Sequence, residues 1–392
     1  MMNKCAKKNM LMLAIIVTMA IPDTLLAIPA FARRHKVSCN TCHTSFPRLK
    51  DYGEEFAGNG FIMKEDEKDR DYVIAGDDLL RLNKDFPLAV RFEAWANYDQ
   101  DKTVETDLQS PWGIKVLSGG TLAKNVGYYF YFFMNERGEV AGIEDAYIHF
   151  DNVRESQLDI LVGQFQTSDP LMKRELRLTY EDYMVYKTSI GLSETNLAYD
   201  RGVMFMYGIP STGTDIMAMV VNGNGKPIAV DRRLDKDNYK NLGFRILQGF
   251  GDKLSVGAYF YSGKEEILAA DNIIRDNSIT YFGPDLALGA GPIDLTVQIL
   301  HRIDSNPLGL ATEAEENTEG MVVEAIWGPQ GEQSGYFVTA LYNYVEGDSY
   351  DYHTATLSHT YMMARNLRLV TEYTRDLQTD KNRFELGIIS AF

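Results

Sequence analysis

Cysteine is scarce in this chain, with three residues in 392, and one of them, Cys5, sits within the first ten residues. A disulfide scaffold is therefore excluded. Beyond the apolar run Met10 to Met19 no stretch of about eighteen apolar residues occurs, so a helical membrane span is excluded and any insertion into a bilayer must use strands. Positive charge is short as well, at 39 Lys and Arg against 55 Asp and Glu, a formal charge of −16. Without a basic stripe to neutralise phosphates no nucleic acid partner is expected, and cations are favoured over anions as visitors. A nucleotide-binding glycine loop, a Gly-x-Ser-x-Gly elbow and an H-E-x-x-H pair are all missing, and with them the chemistries those motifs carry. What is abundant is the material of strands and turns: 32 Gly, 23 Tyr and 19 Phe in a composition that is 45% hydrophobic.

Lys4, Lys7 and Lys8 precede the run Met10 to Met19, and Pro22 with the small residues Ala27, Ala30 and Ala32 follows it. That is the layout of a secretory signal peptide over residues 1–27, cleaved after Ala27 or alternatively after Ala32. Cys39 and Cys42 would then be the remaining thiols. They belong to Cys39-Asn40-Thr41-Cys42-His43, the C-x-x-C-H of covalent c-type haem attachment, in which both thiols join the macrocycle and the imidazole coordinates iron. On a helical turn, positions i, i+3 and i+4 share a face, so all three side chains can reach one edge of a haem. A zinc site would need a second ligand pair, and no further Cys follows. A thioredoxin-like pair would need a βαβ unit, and none follows. One haem c is expected, with His43 as the proximal iron ligand. For the distal position Met63, twenty residues downstream, would supply a thioether and His35 an imidazole, with water or another residue left open.

From Leu88 onward the apolar pattern has period two. Leu88, Val90, Phe92, Ala94, Ala96 and Tyr98 alternate with Arg91, Glu93, Trp95 and Asn97, and the same holds for Ile293 to Ile299 and for Phe384 to Phe392. Sixteen strands are predicted, over 88–98, 112–122, 126–135, 143–150, 157–165, 199–208, 213–222, 240–248, 253–262, 277–288, 292–302, 319–328, 335–345, 352–363, 366–375 and 383–392. Alternation alone also fits a soluble sandwich. Most of these strands, however, are close to the roughly nine to eleven residues of a tilted membrane strand. The connections alternate between short and long, the sidedness of an outer-membrane barrel with periplasmic turns and outer loops. The predicted fold is an all-β transmembrane barrel of about 16 antiparallel strands over residues 86–392, with outer-membrane lipid as its surroundings. A small, partly helical haem plug over 28–85 precedes it. The longest connection, Gln166 to Ala198, is expected to fold into the lumen in part. Asp99, Asp101, Glu105, Asp107, Glu265, Glu266, Asp271, Glu313, Glu315 and Glu316 are expected to make a negative outer rim. Lys64 to Asp71, eight consecutive charges, reads as a solvated stretch or a docking surface for a periplasmic carrier. His149, His301, His353 and His359 fall on separate strands and read as lumen or interface residues.

The segment Ile28 to Arg33 leading into Cys39 to His43, then Phe46-Pro47-Arg48-Leu49, Asp51 to Phe56 and Asn59-Gly60-Phe61, resembles the fused monohaem cytochrome-porins of bacterial outer membranes, among them the outer-membrane iron oxidases. The match covers about residues 28 to 63. The resemblance implies a haem plug inside or beneath a pore, with Cys39 and Cys42 as thioether links and His43 as proximal ligand. It also implies electron passage between an extracellular donor, such as Fe(II), and a periplasmic cytochrome carrier. The other function the sequence allows is a transport porin whose haem segment is a plug without electron traffic.

Overall fold

The computed structural model describes residues 30–63, 72–73, 82–83, 87–136, 139–140, 142–168, 172–251 and 253–392. The leader expected over residues 1–27 and the charged run Lys64 to Asp71 lie outside the described residues. Among the described residues two short helices, α1 (Ala30–His35) and α2 (Asp51–Gly58), precede the barrel. The barrel strands are β1 (Leu88–Asp99), β2 (Thr106–Ala123), β3 (Val126–Glu136), β4 (Gly142–Phe150), β5 (Leu158–Phe165), β6 (Asp200–Ile209), β7 (Thr214–Val221) and β8 (Asn241–Phe250), then β9 (Leu254–Leu268), β10 (Ile274–Ala290), β11 (Ile293–Asp304), β12 (Glu316–Trp327), β13 (Tyr336–Gly347), β14 (Asp351–Ala364), β15 (Leu367–Asp376) and β16 (Asn382–Ala391). Each pairs antiparallel with its sequence neighbour, and β16 closes onto β1 from Arg383 opposite Asp99 to Ala391 opposite Arg91.

The choice between sandwich and membrane barrel is settled by which face is buried. On β8, Leu242, Phe244 and Ile246 point outward and are exposed, while Gly243 and Arg245 between them point into the lumen. Arg245 forms a two-pronged bond to Asp285 on β10, at 3.0 and 2.7 Å. The same inversion gives outward Phe260, Phe282 and Leu357 and inward Arg91, Glu93, Arg302, Arg368 and Glu372. An apolar outside around a charged inside is stable only in lipid, where one Arg turned outward costs about 2–4 kcal/mol at the midplane. A one-residue slip of β8 would do that, so the alternation itself pins the register.

Several strands run further than the pattern indicates. β2 begins at Thr106 rather than 112, β9 reaches Leu268, β10 starts at Ile274 and β12 at Glu316, because the ladder continues past the apolar band. Glu265 and Glu316 consequently lie on strands and face inward, 5% and 4% exposed. Glu265 accepts from Asn277, and Glu316 from Ser349. The outer rim is therefore less acidic than expected. Glu105, Asp107, Glu313 and Glu315 remain exposed there, Glu315 accepting from the Asn317 side chain, whereas Asp101 pairs with Lys381 and Asp271 with Arg275.

Candidate functional site

The segment before β1 occupies the end of the barrel that carries the short turns. Cys39–Thr41 forms one turn of 3-10 helix, and the His43 amide continues it by donating to the Cys39 carbonyl at 2.9 Å. Helix α2 packs across this turn at Gly53, where a Cβ would stand 2.2 Å from the Cys42 carbonyl oxygen. Only glycine permits that approach. Phe31, Phe56 and Phe61 form an aromatic cluster with centroids 5.1 to 5.7 Å apart, and Phe61 stacks on Tyr129 of β3 at 4.9 Å. The Gly60 backbone meets that of Gly127 on β3, where a Cβ would lie 2.0 Å from the Gly60 oxygen. Arg48 reaches Glu324 on β12 at 2.8 Å, and Arg33 donates to the Leu88 carbonyl at 2.5 Å.

The β5–β6 connection enters the lumen from the opposite end. Its Tyr183, Tyr186, Leu178, Ile190 and Leu197 are at most 1% exposed, so the expected inward folding is what the structure has. The segment touches the wall on several sides. Tyr183 donates to Glu324 at 2.7 Å, the Tyr180 and Glu181 amides donate to Glu372 on β15, and Asn343 of β13 donates to the Asp182 carbonyl. Lys115 of β2 pairs with Glu175 at 2.9 Å, and Arg302 of β11 donates to the Thr188 and Thr195 carbonyls. Internally, Arg174 grips Asp182 with two bonds, at 3.1 and 2.6 Å. Burial alone would raise the Glu175 carboxyl, but Lys115, Arg177, Arg91 and Arg174 outweigh it and hold the group at about 2.

Between this segment and the plug lies a cavity of about 200 Å³ that opens in part to solvent. Cys39, Cys42 and His43 line one side, Lys173, Glu175 and Leu176 the other, and Val90, Leu117, Tyr129 and Tyr131 of the wall close it laterally. The His43 Nδ1 lies 2.9 Å from the Pro47 carbonyl and 3.3 Å from that of Arg48, so Nδ1 carries the proton and donates. Burial, opposed by those carbonyls and by Glu54, keeps the imidazole below its ordinary pKa. A neutral ring with Nδ1 engaged and the Nε2 lone pair available is the state a metal-ligating histidine needs. Cys39 and Cys42 are not bonded to each other, and burial pushes both thiols up, unlike the lowered thiols of a redox-active pair. The three residues of the motif are thus brought together at one mostly apolar cavity, and their side chains are the donor set that covalent haem attachment uses.

The distal candidates sit less directly. His35, on α1, meets the edge of Phe56 at 5.5 Å, and Met63 is half-buried just past Phe61; neither is among the described residues lining the cavity. Sequence reasoning passed over Arg48 and Glu324 as the plug's anchor. The one local signal was an Arg placed five residues after His43.

Comparison with solved structures bears on the barrel. It is similar to OmpT of Vibrio cholerae in its trimer form, with a TM-score of 0.56 at 13% identity over 79% of this chain and 99% of that one. The outer membrane channel DcaP of Acinetobacter baumannii gives 0.55 at 15% identity over 79% and 97%, and an anion-selective porin from Comamonas acidovorans 0.55 at 11% over 79% and 99%. This is the porin fold. At such identities the likeness extends to architecture alone, and an outer-membrane barrel is what that architecture and the apolar outer face give. No protein-family model matches the chain, and no curated protein matches it. Within the porin-fold barrel, the plug and the inward segment are built on this chain's own contacts.

Proposed function

We propose that this porin-fold barrel holds one haem c in the cavity between plug and inward segment, and moves electrons between an extracellular donor and a periplasmic carrier. The observation that carries the reading is the convergence of Cys39, Cys42 and the Nδ1-anchored His43 on that cavity. Bound there, the group would supply a one-electron iron couple. The protein's own part is to hold and shield. Cys39 and Cys42 would make the covalent links, and the Pro47 carbonyl orients His43. Phe31, Tyr129 and Tyr131 keep the surroundings apolar, and Leu176 and Tyr183 narrow the path to the outer end. Lys64 to Asp71, read first as a solvated stretch, would on this reading also offer a docking surface for a periplasmic cytochrome carrier. The exposed Glu105, Asp107, Glu313 and Glu315 favour a cationic donor such as Fe(II), whose local concentration they raise.

A second reading is a transport porin in which the same segment is only a plug, and the fold comparison taken alone favours it. Liposomes carrying the protein and a trapped oxidant separate the two. A conduit lets an impermeant external reductant discharge the oxidant, and the double variant Cys39→Ala, Cys42→Ala does not. Equal discharge rates for both proteins would refute the conduit. A haem-specific stain on the denatured chain, positive for the wild type alone, tests covalent attachment separately.

A further inference from the structure

The turn end of the barrel carries a second cluster of ligating side chains, apart from the cavity and independent of the haem reading. His149 is the penultimate residue of β4, Asp151 comes directly after the strand's last residue Phe150, and Asp159 lies on the neighbouring β5. One ligand atom from each lies within 4.8 Å of the other two. His149 is 2% exposed, and its Nε2 has no hydrogen-bond partner. It stands 3.6 Å from the Asp159 carboxylate, beyond hydrogen-bond reach yet aimed at it. A buried, unsatisfied imidazole nitrogen facing carboxylates is a state that native structures rarely keep without an ion or water between. The connecting residue Asn152 sets both carboxylates, its amide N–H donating to Asp159 at 2.7 Å and its side chain to Asp151 at 2.8 Å.

We propose that His149, Asp151 and Asp159 bind a divalent transition-metal ion, of the Zn²⁺ or Mn²⁺ class, which braces the seat of the plug. Ligands of a tetrahedral ion with bonds of about 2.1 Å stand about 3.4 Å apart, close to the 3.6 Å between His149 and Asp159, and side-chain rotation would draw Asp151 in from within 4.8 Å. A nitrogen ligand selects against Ca²⁺ and Mg²⁺, which take all-oxygen shells, and suits zinc and its neighbours. The consequence for the plug follows from contact. A Cβ on Gly60 would lie 3.2 Å from the His149 ring, so the plug backbone rests on the imidazole that the ion would fix.

The test uses the full-length protein in detergent, dialysed against Zn²⁺ with Ca²⁺ and Mg²⁺ in excess, and the bound metal counted by mass spectrometry. The wild type should retain one more Zn²⁺ per chain than His149→Gln, and Asp159→Asn should weaken that site by at least the roughly 10- to 100-fold that losing an outer-shell partner costs. Heat-dependent gel mobility checks that each variant keeps its barrel, and Asp151→Asn replaces any that does not. X-ray absorption of the extra ion should show nitrogen and oxygen ligands. Zn²⁺ should also slow amide exchange over residues 58–63 in the wild type alone. Equal zinc counts across the variants, a sulfur-only shell from Cys39 and Cys42, or exchange indifferent to zinc would each overturn the proposal.

Discussion

Gly127→Ala is the sharpest single probe of how the plug is seated. The added methyl would lie 2.0 Å from the Gly60 carbonyl oxygen, 2.9 Å from its carbon and 3.1 Å from its Cα. All three are backbone atoms, so no side-chain rotation relieves the clash. Gly127 is an ordinary strand residue of β3, paired with Thr121 and His149, and alanine is compatible with the ladder itself. The strain should therefore fall on the plug. Overpacking of this kind costs about 1–3 kcal/mol, which corresponds to a rise of roughly 5- to 150-fold in the population of plug-open molecules. Hydrogen exchange read by mass spectrometry resolves such a change: amides over residues 51–61 should lose protection by that factor while β8 to β12 keep theirs. Gly58→Ala is the control, since nothing lies within 4 Å of the added atom and alanine is the better helix residue. Unchanged plug protection in Gly127→Ala, or equal loss across the barrel, would refute the docking described here.

The inward segment should be acid-labile. The Glu175 carboxyl is held at about 2 against an ordinary 4.5, so its stabilisation is complete above about pH 4.5 and is lost as pH falls toward 2. Asp182, whose burial is outweighed by Arg174, Arg177 and Lys187, acts in the same direction. Bilayer conductance should rise over that window, and Glu175→Gln should conduct more at neutral pH with a smaller acid response. A conductance flat from pH 6 to 3 would contradict this. Replacing residues 172–183 by a short Gly-Ser link should raise conductance severalfold at any pH, and unchanged conductance would mean that the segment does not narrow the pore. In haem-loaded protein, Met63→Ala or His35→Ala should alter the oxidised optical spectrum if that residue is the distal ligand. Spectra unchanged in both variants would leave the ligand to the cavity lining.

The barrel was legible because lipid and lumen impose opposite demands on alternate residues, and a run such as Leu242 to Ile246 around Arg245 satisfies them in only one register. The haem motif was legible because its chemistry is local: Cys39, Cys42 and His43 need one turn of helix and one backbone acceptor, and Pro47 supplies it four residues away. Strand ends were less legible. Hydrogen-bonded ladders continue beyond the apolar band, where side-chain hydrophobicity stops reporting the strand, and that is why Glu265 and Glu316 looked like rim residues. Contacts between the plug and the wall left almost no trace. Arg48 and Glu324 are 276 positions apart, and nothing near either names its partner. His149 read as a lumen or interface residue rather than a metal ligand; it faces the lumen, and its approach to Asp159 depends on the β4–β5 pairing.

Glu324 links the two halves of the site. It is 1% exposed and accepts from Arg48 of the plug at 2.8 Å and from Tyr183 of the inward segment at 2.7 Å. If the plug withdrew, this buried carboxylate would lose its cation and keep a single hydroxyl, and stranding a buried charge in that way is strongly unfavourable. The bridge from Lys173 to Glu54, at 3.0 Å between half-exposed partners, adds little by comparison. Plug and inward segment therefore resist displacement together, and a solute passing through the lumen would have to move both. An electron would need neither to move, so the proposed conduit and the transport porin make opposite demands on this pair of contacts: only solute transport requires that Arg48 and Tyr183 release Glu324.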